Sequence, residues 1–196
     1  MRTRTIAVAI ATTGLAAALA ACGPTSTVKT GADKPASSTT KSAAKAKTAA
    51  KPAATKAKPA TIGDTITVHG MDDGSKVAIT LVKWVDPAKG GDEFTQPDAG
   101  KRFVAAQIRV TNTGTAVYDD TPSNGMQVAD SVGQRFESSI WDVSAGPSMP
   151  SEVKLPTGAK ALGYVTFEVP KGSKIVSLQF TADSGFADEA GQWNVH

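Results

Sequence analysis

From residue 61 onward apolar side chains recur at every second position, the spacing of strands with one buried face. "DTITVHG" alternates Ile66 and Val68. "SKVAITLVKWV" places Val77, Ile79 and Leu81 on one face and Val82 and Trp84 on the other. "KRFVAAQIRVTNTG" alternates Val104, Ala106, Ile108 and Val110, and "GMQVAD" offers Met126 and Val128. "ALGYVTFEVP" alternates Val165, Phe167 and Val169, "SKIVSLQF" alternates Val176, Leu178 and Phe180, and "QWNV" suits a last strand. Turn formers separate the runs: Asp72-Asp73-Gly74, Asp86-Pro87, Gly90-Gly91, Asn112-Thr113-Gly114, Pro122-Ser123-Asn124-Gly125 and Pro170-Lys171-Gly172. No stretch of ten residues carries a helical apolar stripe. About seven short strands so separated predict an all-β protein, an antiparallel β-sandwich. The 136 residues of 61–196 suffice for one domain with its own core.

The N-terminus is patterned differently. Arg2 and Arg4 precede Ile6 to Ala21, a run of apolar or small residues broken only by Thr12, Thr13 and Gly14. That length suits the apolar region of an export signal and falls short of the roughly 20 residues of a spanning helix. No Arg-Arg pair is present, so general secretion is expected. Residues 23–60 then hold 11 Ala, 8 Lys, 7 Thr, 4 Ser and 4 Pro, with Val28 the only large apolar residue and Asp33 the only acid. Such a segment buries too little surface to offset chain entropy. The expected organisation is therefore a signal peptide at 1–21, a disordered Ala/Lys/Thr/Pro-rich linker at 22–60 and the sandwich at 61–196. As a flexible coil the linker spans roughly 30–40 Å and, stretched, about 125 Å. It reads as a tether that lifts a domain off a membrane. Its lysines also suit attraction to anionic lipid heads or wall polyanions.

Charge divides the chain along the same boundary. The whole carries +3, yet residues 61–196 hold 11 basic and 17 acidic residues, a net of −6. A domain so charged is a poor nucleic-acid binder. It is expected to be a soluble monomer.

Cys22, the only cysteine of 196 residues, closes the string Leu19-Ala20-Ala21-Cys22. That string resembles a bacterial lipobox. The resemblance implies cleavage before Cys22 and a diacylglycerol on its sulfur, so that Cys22 begins the mature protein at the outer face of the cell membrane. A thiolate suits this chemistry as the best side-chain nucleophile, and two acyl chains anchor stably where one does not. Two further stretches, "GKRFVAAQIRVTNTGTAV" and "LPTGAKALGYVTFEVPKGSKIVSLQF", resemble the immunoglobulin-like domain of unknown function found in exported lipoproteins of Gram-positive bacteria. That domain is similar in fold to secreted mycobacterial immunoprotective antigens. The resemblance implies an immunoglobulin-like sandwich at the cell surface and carries over no catalytic residue. The chain lacks the paired cysteines of antibody-type domains, so apolar packing alone must hold the core.

Residue chemistry offers little for catalysis. The histidines are His69 and the C-terminal His196, and no HExxH or CxxC spacing occurs. Ser38-x-x-Lys41, Ser42-x-x-Lys45 and Lys29-Thr30-Gly31 echo strings of penicillin-binding enzymes but lie in the linker in the wrong order. Ser151-x-x-Lys154 sits in a Pro-rich loop without partners. Acid pairs occur in loops, and Asp119 and Asp120 are the pair that calcium would use, although no D-x-[DN]-x-[DN]-G run exists. Trp84 is expected in the core. Trp141 lies between long loops, in "ESSIWDVSAGPSMPSEV", where an aromatic can meet a protein or glycan ligand or fold back onto the sandwich. The loops 86–101 and 139–158, both Gly/Pro-rich, are expected to make any contact from one end of the sandwich. The expectation is a non-enzymatic, cofactor-free binding or accessory module anchored through Cys22. The alternatives are a purely structural envelope component and a wall-modifying hydrolase.

Overall fold

The computed structural model describes residues 26–33 and 58–196. The signal segment, Cys22 and most of the linker lie outside the described residues. The described residues form eleven strands: β1 (Thr27–Lys29), β2 (Thr65–His69), β3 (Lys76–Ala88), β4 (Lys101–Asn112), β5 (Tyr118–Asp120), β6 (Met126–Asp130), β7 (Arg135–Ser139), β8 (Val153–Leu155), β9 (Lys160–Pro170), β10 (Ile175–Thr181) and β11 (Glu189–Asn194). Among the described residues the only helical turns are two short 3-10 segments, Pro122–Gly125 and Asp183–Gly185. No helix of the described residues is long and apolar enough to cross a membrane.

Nine strands hydrogen-bond in the order β1-β11-β10-β6-β7-β9-β4-β3-β2, and β5 pairs separately with β8. Strand β7 is the fold line. It pairs with β6 through Gln127↔Glu137 to Ala129↔Arg135, and its last two residues pair with β9. The sheet thereby doubles into two layers that enclose the core, the β-sandwich expected from the period-two pattern and, as an immunoglobulin-like one, from the family resemblance. Ile66, Ile79, Leu81, Val104, Ile108 and Phe167 face Met126, Val128, Leu178, Phe180 and Trp193, all essentially inaccessible to water. The indole N–H of Trp193 donates to the Asp64 carbonyl (3.0 Å), tying the last strand to the start of β2.

Two β-bulges correct the register read from the sequence. In β3 the pairing with β4 slips between Leu81↔Ile108 and Lys83↔Gln107. The extra residue turns Trp84 to the side of Leu81, so that it packs on the main core as expected but from the face opposite Val82, while Val85 joins the outer face. In β10 a slip between Ile175 and Ser177 substitutes Ile175 for Val176 in the buried set. Strands β5, β7 and β8 are further findings. Each is three to five residues long, and β7 ("RFESS") carries one apolar side chain, too little alternation to register.

The linker boundary also changes. Thr27–Lys29, expected within a disordered tether, form β1, which runs parallel to β11 in the register Thr27↔Glu189 to Lys29↔Gly191. Lys29 Nζ reaches both Glu189 (2.7 Å) and the Thr67 carbonyl of β2 (2.9 Å). Asp33 N–H donates to the Thr65 carbonyl (2.8 Å), and Ala60 N–H donates to the Thr30 carbonyl (2.7 Å). Strand β1 thus spans the gap between the open edges of the two layers. Backbone bonds, the Lys29–Glu189 ion pair and the Lys29 bond to Thr67 help hold it, and Val28 remains half exposed.

Candidate functional site

The segment after β7 departs from the sandwich and returns to it. Ser139, paired with Thr166, is its last strand residue. The chain rejoins β9 at Ser148, which bridges Tyr164 in parallel. There Tyr164 N–H donates to the Pro147 carbonyl (2.9 Å) and Met149 N–H donates to the Tyr164 carbonyl (2.8 Å). Gly163 permits this approach: a Cβ there would stand 2.5 Å from the Met149 backbone. The excursion between these points lies over the outer face of β4 and β9. Val143 and Tyr164 bury Ala105 beneath it, with Val85 and Ala88 alongside, as a second, smaller apolar cluster.

The two loops expected to make contacts are brought together. Gly91 N–H donates to the Asp142 carbonyl (2.9 Å), and Ser144 N–H donates to the Lys89 carbonyl (3.0 Å). They do not share one end, however. Residues 86–101 cap the end where β3 passes to β4. Residues 139–158 cross the outer face and finish in β8, which pairs with β5 near the opposite end. The contact region is therefore a flank of the sandwich.

Trp141 stands on that flank, 45 % exposed, beside a fully exposed Ile140. It borders a cleft of about 330 Å³ that opens where β7 parts from β9. Serines and a threonine from four places in the chain line the cleft: Ser123, Ser138 and Ser139, Ser148 and Ser151, and Thr166. Ser138 Oγ donates to the Ser123 carbonyl (2.9 Å) and Ser139 Oγ to the Thr166 carbonyl (3.3 Å), so each oxygen keeps acceptor capacity toward the cleft. Asp142 is the one carboxylate that lines it, and Ser148 Oγ donates to Asp142 Oδ1. A second hollow of about 360 Å³ adjoins it between Asp92, Thr95 and Asp142. Asp92 accepts from the Thr95 hydroxyl (2.8 Å) and from the amides of Thr95 and Phe94, and these bonds, the hydroxyl's first, hold its carboxyl below the usual range.

The other candidates are dispersed. Asp119 and Asp120 are consecutive in β5 and point to opposite faces. Asp119 pairs with Lys154 (2.6 Å). Asp120 accepts from the Tyr118 hydroxyl (3.0 Å), the Thr121 amide (2.7 Å) and the Ser184 hydroxyl (2.7 Å), a brace between two turns. Burial first, then Asp120, pushes the Tyr118 phenol far above its ordinary range. Among the described residues no group of three or more His, Cys, Asp or Glu side chains is placed to hold a metal. His69 bonds Glu189 (2.9 Å), and His196 bonds the Ile175 carbonyl. The sequence pointed to Trp141 and not to the serines beside it. Ser123 comes from the Pro122–Gly125 turn and Thr166 from β9, and no local pattern marks either as part of a site.

A two-layer β-sandwich whose flank carries an aromatic, hydroxyl-lined cleft defines an immunoglobulin-like domain with a candidate binding surface. The chain belongs to the family described as Domain of unknown function (DUF4352), whose model matches residues 62–191. Among solved structures it is similar to the yjhA protein of Bacillus subtilis, at 14 % identity and a TM-score of 0.51, covering 70 % of this chain and 99 % of that one. It is also similar to MPT63, a secreted protein from Mycobacterium tuberculosis, at 14 % identity and a TM-score of 0.48, covering 68 % of this chain and 94 % of that one. A third is ycdA, a candidate lipoprotein of Bacillus subtilis, at 13 % identity and a TM-score of 0.47, covering 61 % of this chain and 36 % of that one. No curated protein matches the sequence. At these identities the likeness to yjhA is one of fold alone.

Proposed function

We propose that the protein is a lipid-anchored, extracytoplasmic binding module whose ligand seats on the Trp141 cleft. The observation that carries this reading is the pairing of a half-exposed indole with a cleft lined by hydroxyls from four separate segments. An indole face stacks on a sugar ring or an aromatic or aliphatic side chain, and convergent hydroxyls fix orientation through hydrogen bonds. The same inventory argues against hydrolysis. Glycoside cleavage needs two carboxyl groups about 5–9.5 Å apart across the bond; this cleft holds Asp142 alone, and Asp92 of the adjoining hollow is engaged by the Thr95 hydroxyl and two backbone amides. Nucleophilic serine chemistry needs an adjacent base with a partner that orients it; Ser138 and Ser139 donate to backbone carbonyls, and Ser148 meets only the carboxylate of Asp142. The domain charge of −6 favours a neutral or basic ligand, a protein or an uncharged glycan. Lipidation of Cys22 holds the module at the outer face of the membrane.

The test is crosslinking on intact cells to capture a surface ligand, followed by affinity measurement on Trp141→Ala. Loss of binding with unchanged melting temperature supports the cleft. Retained affinity with lowered stability makes Trp141 a packing residue and overturns it.

A further inference from the structure

Strand β1 sets the geometry of the anchor. Thr27 lies beside Glu189, and its N–H donates to the Asp188 carbonyl (2.8 Å). The chain leading back to Cys22 therefore departs from the end of the sandwich formed by the 182–188 turn. Met71, in the β2–β3 turn, is at the same end, because its N–H donates to Asp183 Oδ2 (2.5 Å). Five residue steps separate Cys22 from Thr27, a reach of at most about 18 Å. A lipid on Cys22 cannot let this end travel further than that from the bilayer surface. The basic stretch beyond Asp33 adds nothing to the reach, because β1 is fastened before it begins.

We propose that this end of the sandwich faces and touches the surface of the bilayer, with the exposed side chains of Met71 (69 %) and Phe186 (79 %) as the contact. Apolar exposure alone does not select the end, since Phe94 and Val132 are exposed at the other. The direction of β1 and the short reach select it. Asp72, Asp73 and Asp188 flank the two side chains, so the contact is shallow and supplies orientation, and the acyl chains supply affinity. The loop 86–101 then points away from the membrane.

This inference rests on the proposed acylation of Cys22, and the experiment separates the two. Once lipidated, Cys22 leaves the chain without a free thiol, so an introduced cysteine is labelled uniquely. Asp72→Cys at the β1 end and Glu93→Cys at the far end each remove one exposed carboxylate. Each is labelled with a polarity-sensitive dye and reconstituted into phosphatidylcholine vesicles containing shallow doxyl-labelled phosphatidylcholine. Several-fold stronger quenching at position 72 than at 93 is expected. Equal or reversed quenching of acylated, vesicle-bound protein overturns the orientation and leaves the anchor standing. A mature N-terminal peptide without acyl mass overturns the anchor, and the orientation with it.

Discussion

Gly163→Ala tests whether the Trp141 segment depends on one small residue of the strand beneath it. Gly163 pairs with Ile108 in the middle of the β4–β9 ladder and has no left-handed backbone to strain. The added methyl would meet Met149 Cα and N at 2.5 Å, well inside contact distance, and backbone cannot rotate away as a side chain can. Residues 146–149 must lift. That removes the Met149 N–H···Tyr164 O and Tyr164 N–H···Pro147 O bonds, about 0.5–1.5 kcal/mol each. The expected loss is therefore about 1–3 kcal/mol. Met149 also packs on the main core, so the loss touches the interior there, while the inward residues of β4 and the rest of β9 keep their contacts. Gly172→Ala, which meets nothing within 4 Å, is the control and should stay within about 0.5 kcal/mol of wild type. Denaturant unfolding gives the magnitude. Amide exchange gives the location: Met149 and Tyr164 should lose protection while Ile108 and Val110 keep theirs. Gly163→Ala as stable as Gly172→Ala, with both amides still protected, would refute the close approach and the seating of the cleft wall.

Ile108→Ala and Phe167→Ala, both fully buried in the main core, should each cost about 2–5 kcal/mol by chemical denaturation; near-neutral values would place these strands one residue out of register. The tryptophans should behave unequally when changed to phenylalanine. Trp84 Nε1 is buried with no hydrogen-bond partner, so Trp84→Phe sheds an unsatisfied donor, whereas Trp193→Phe breaks a bond to Asp64 and opens a void. The second should be the costlier by about 1–3 kcal/mol, and equal costs would contradict that assignment. Burial raises Glu189, but Lys29 and His69 outweigh it and bring the carboxyl from an ordinary 4.5 down to about 2. The stabilisation of β1 is therefore complete above about pH 4.5 and is lost as pH falls toward 2. About 0.2–1 kcal/mol is at stake for a pair this exposed. Glu189→Gln should flatten the acid limb of a proteolysis or exchange profile of residues 26–33, and an unchanged limb counts against the clamp.

Strict alternation made most of the inner core legible. Ile66, Val68, Ile79, Ile108, Phe167 and Phe180 are all buried as the period of two requires. Alternation failed where a bulge added a residue, at Trp84 and Val176, because a period carries no signal for an insertion. It also failed at β1 and β7, which are held by backbone hydrogen bonds and contribute few apolar side chains. Val28 looked like a lone apolar residue in a polar tract. Its strand is fixed by partners more than a hundred residues away, and no local window contains them. The cleft was legible only at Trp141 for the same reason: the hydroxyls that line it, with Ser123, Thr166 and Gly163, matter through tertiary placement.

The sandwich uses the two faces of β4 for different ends, and adjacent alanines allow that division to be measured. Ala106 points into the main core opposite Trp84 and Val165, while Ala105 points outward beneath Val143 and Tyr164. Both are fully buried, so Ala→Val adds the same two methyl groups to equally closed sites. Overpacking of this kind costs about 1–3 kcal/mol in either place. The consequences should nevertheless differ. Ala106→Val strains the interior between the layers, so it should lower the melting temperature while the Tyr164 amide, bonded to Pro147, stays protected below the global transition. Ala105→Val pushes Val143 upward and with it Asp142, whose carbonyl holds Gly91. It should release the 139–150 segment ahead of global unfolding, exposing the Tyr164 and Gly91 amides and weakening any ligand that needs Trp141. Identical exchange patterns for the two variants would mean that the segment over Ala105 unfolds only with the core. The cleft would then be part of the structural interior and not a separately held binding wall.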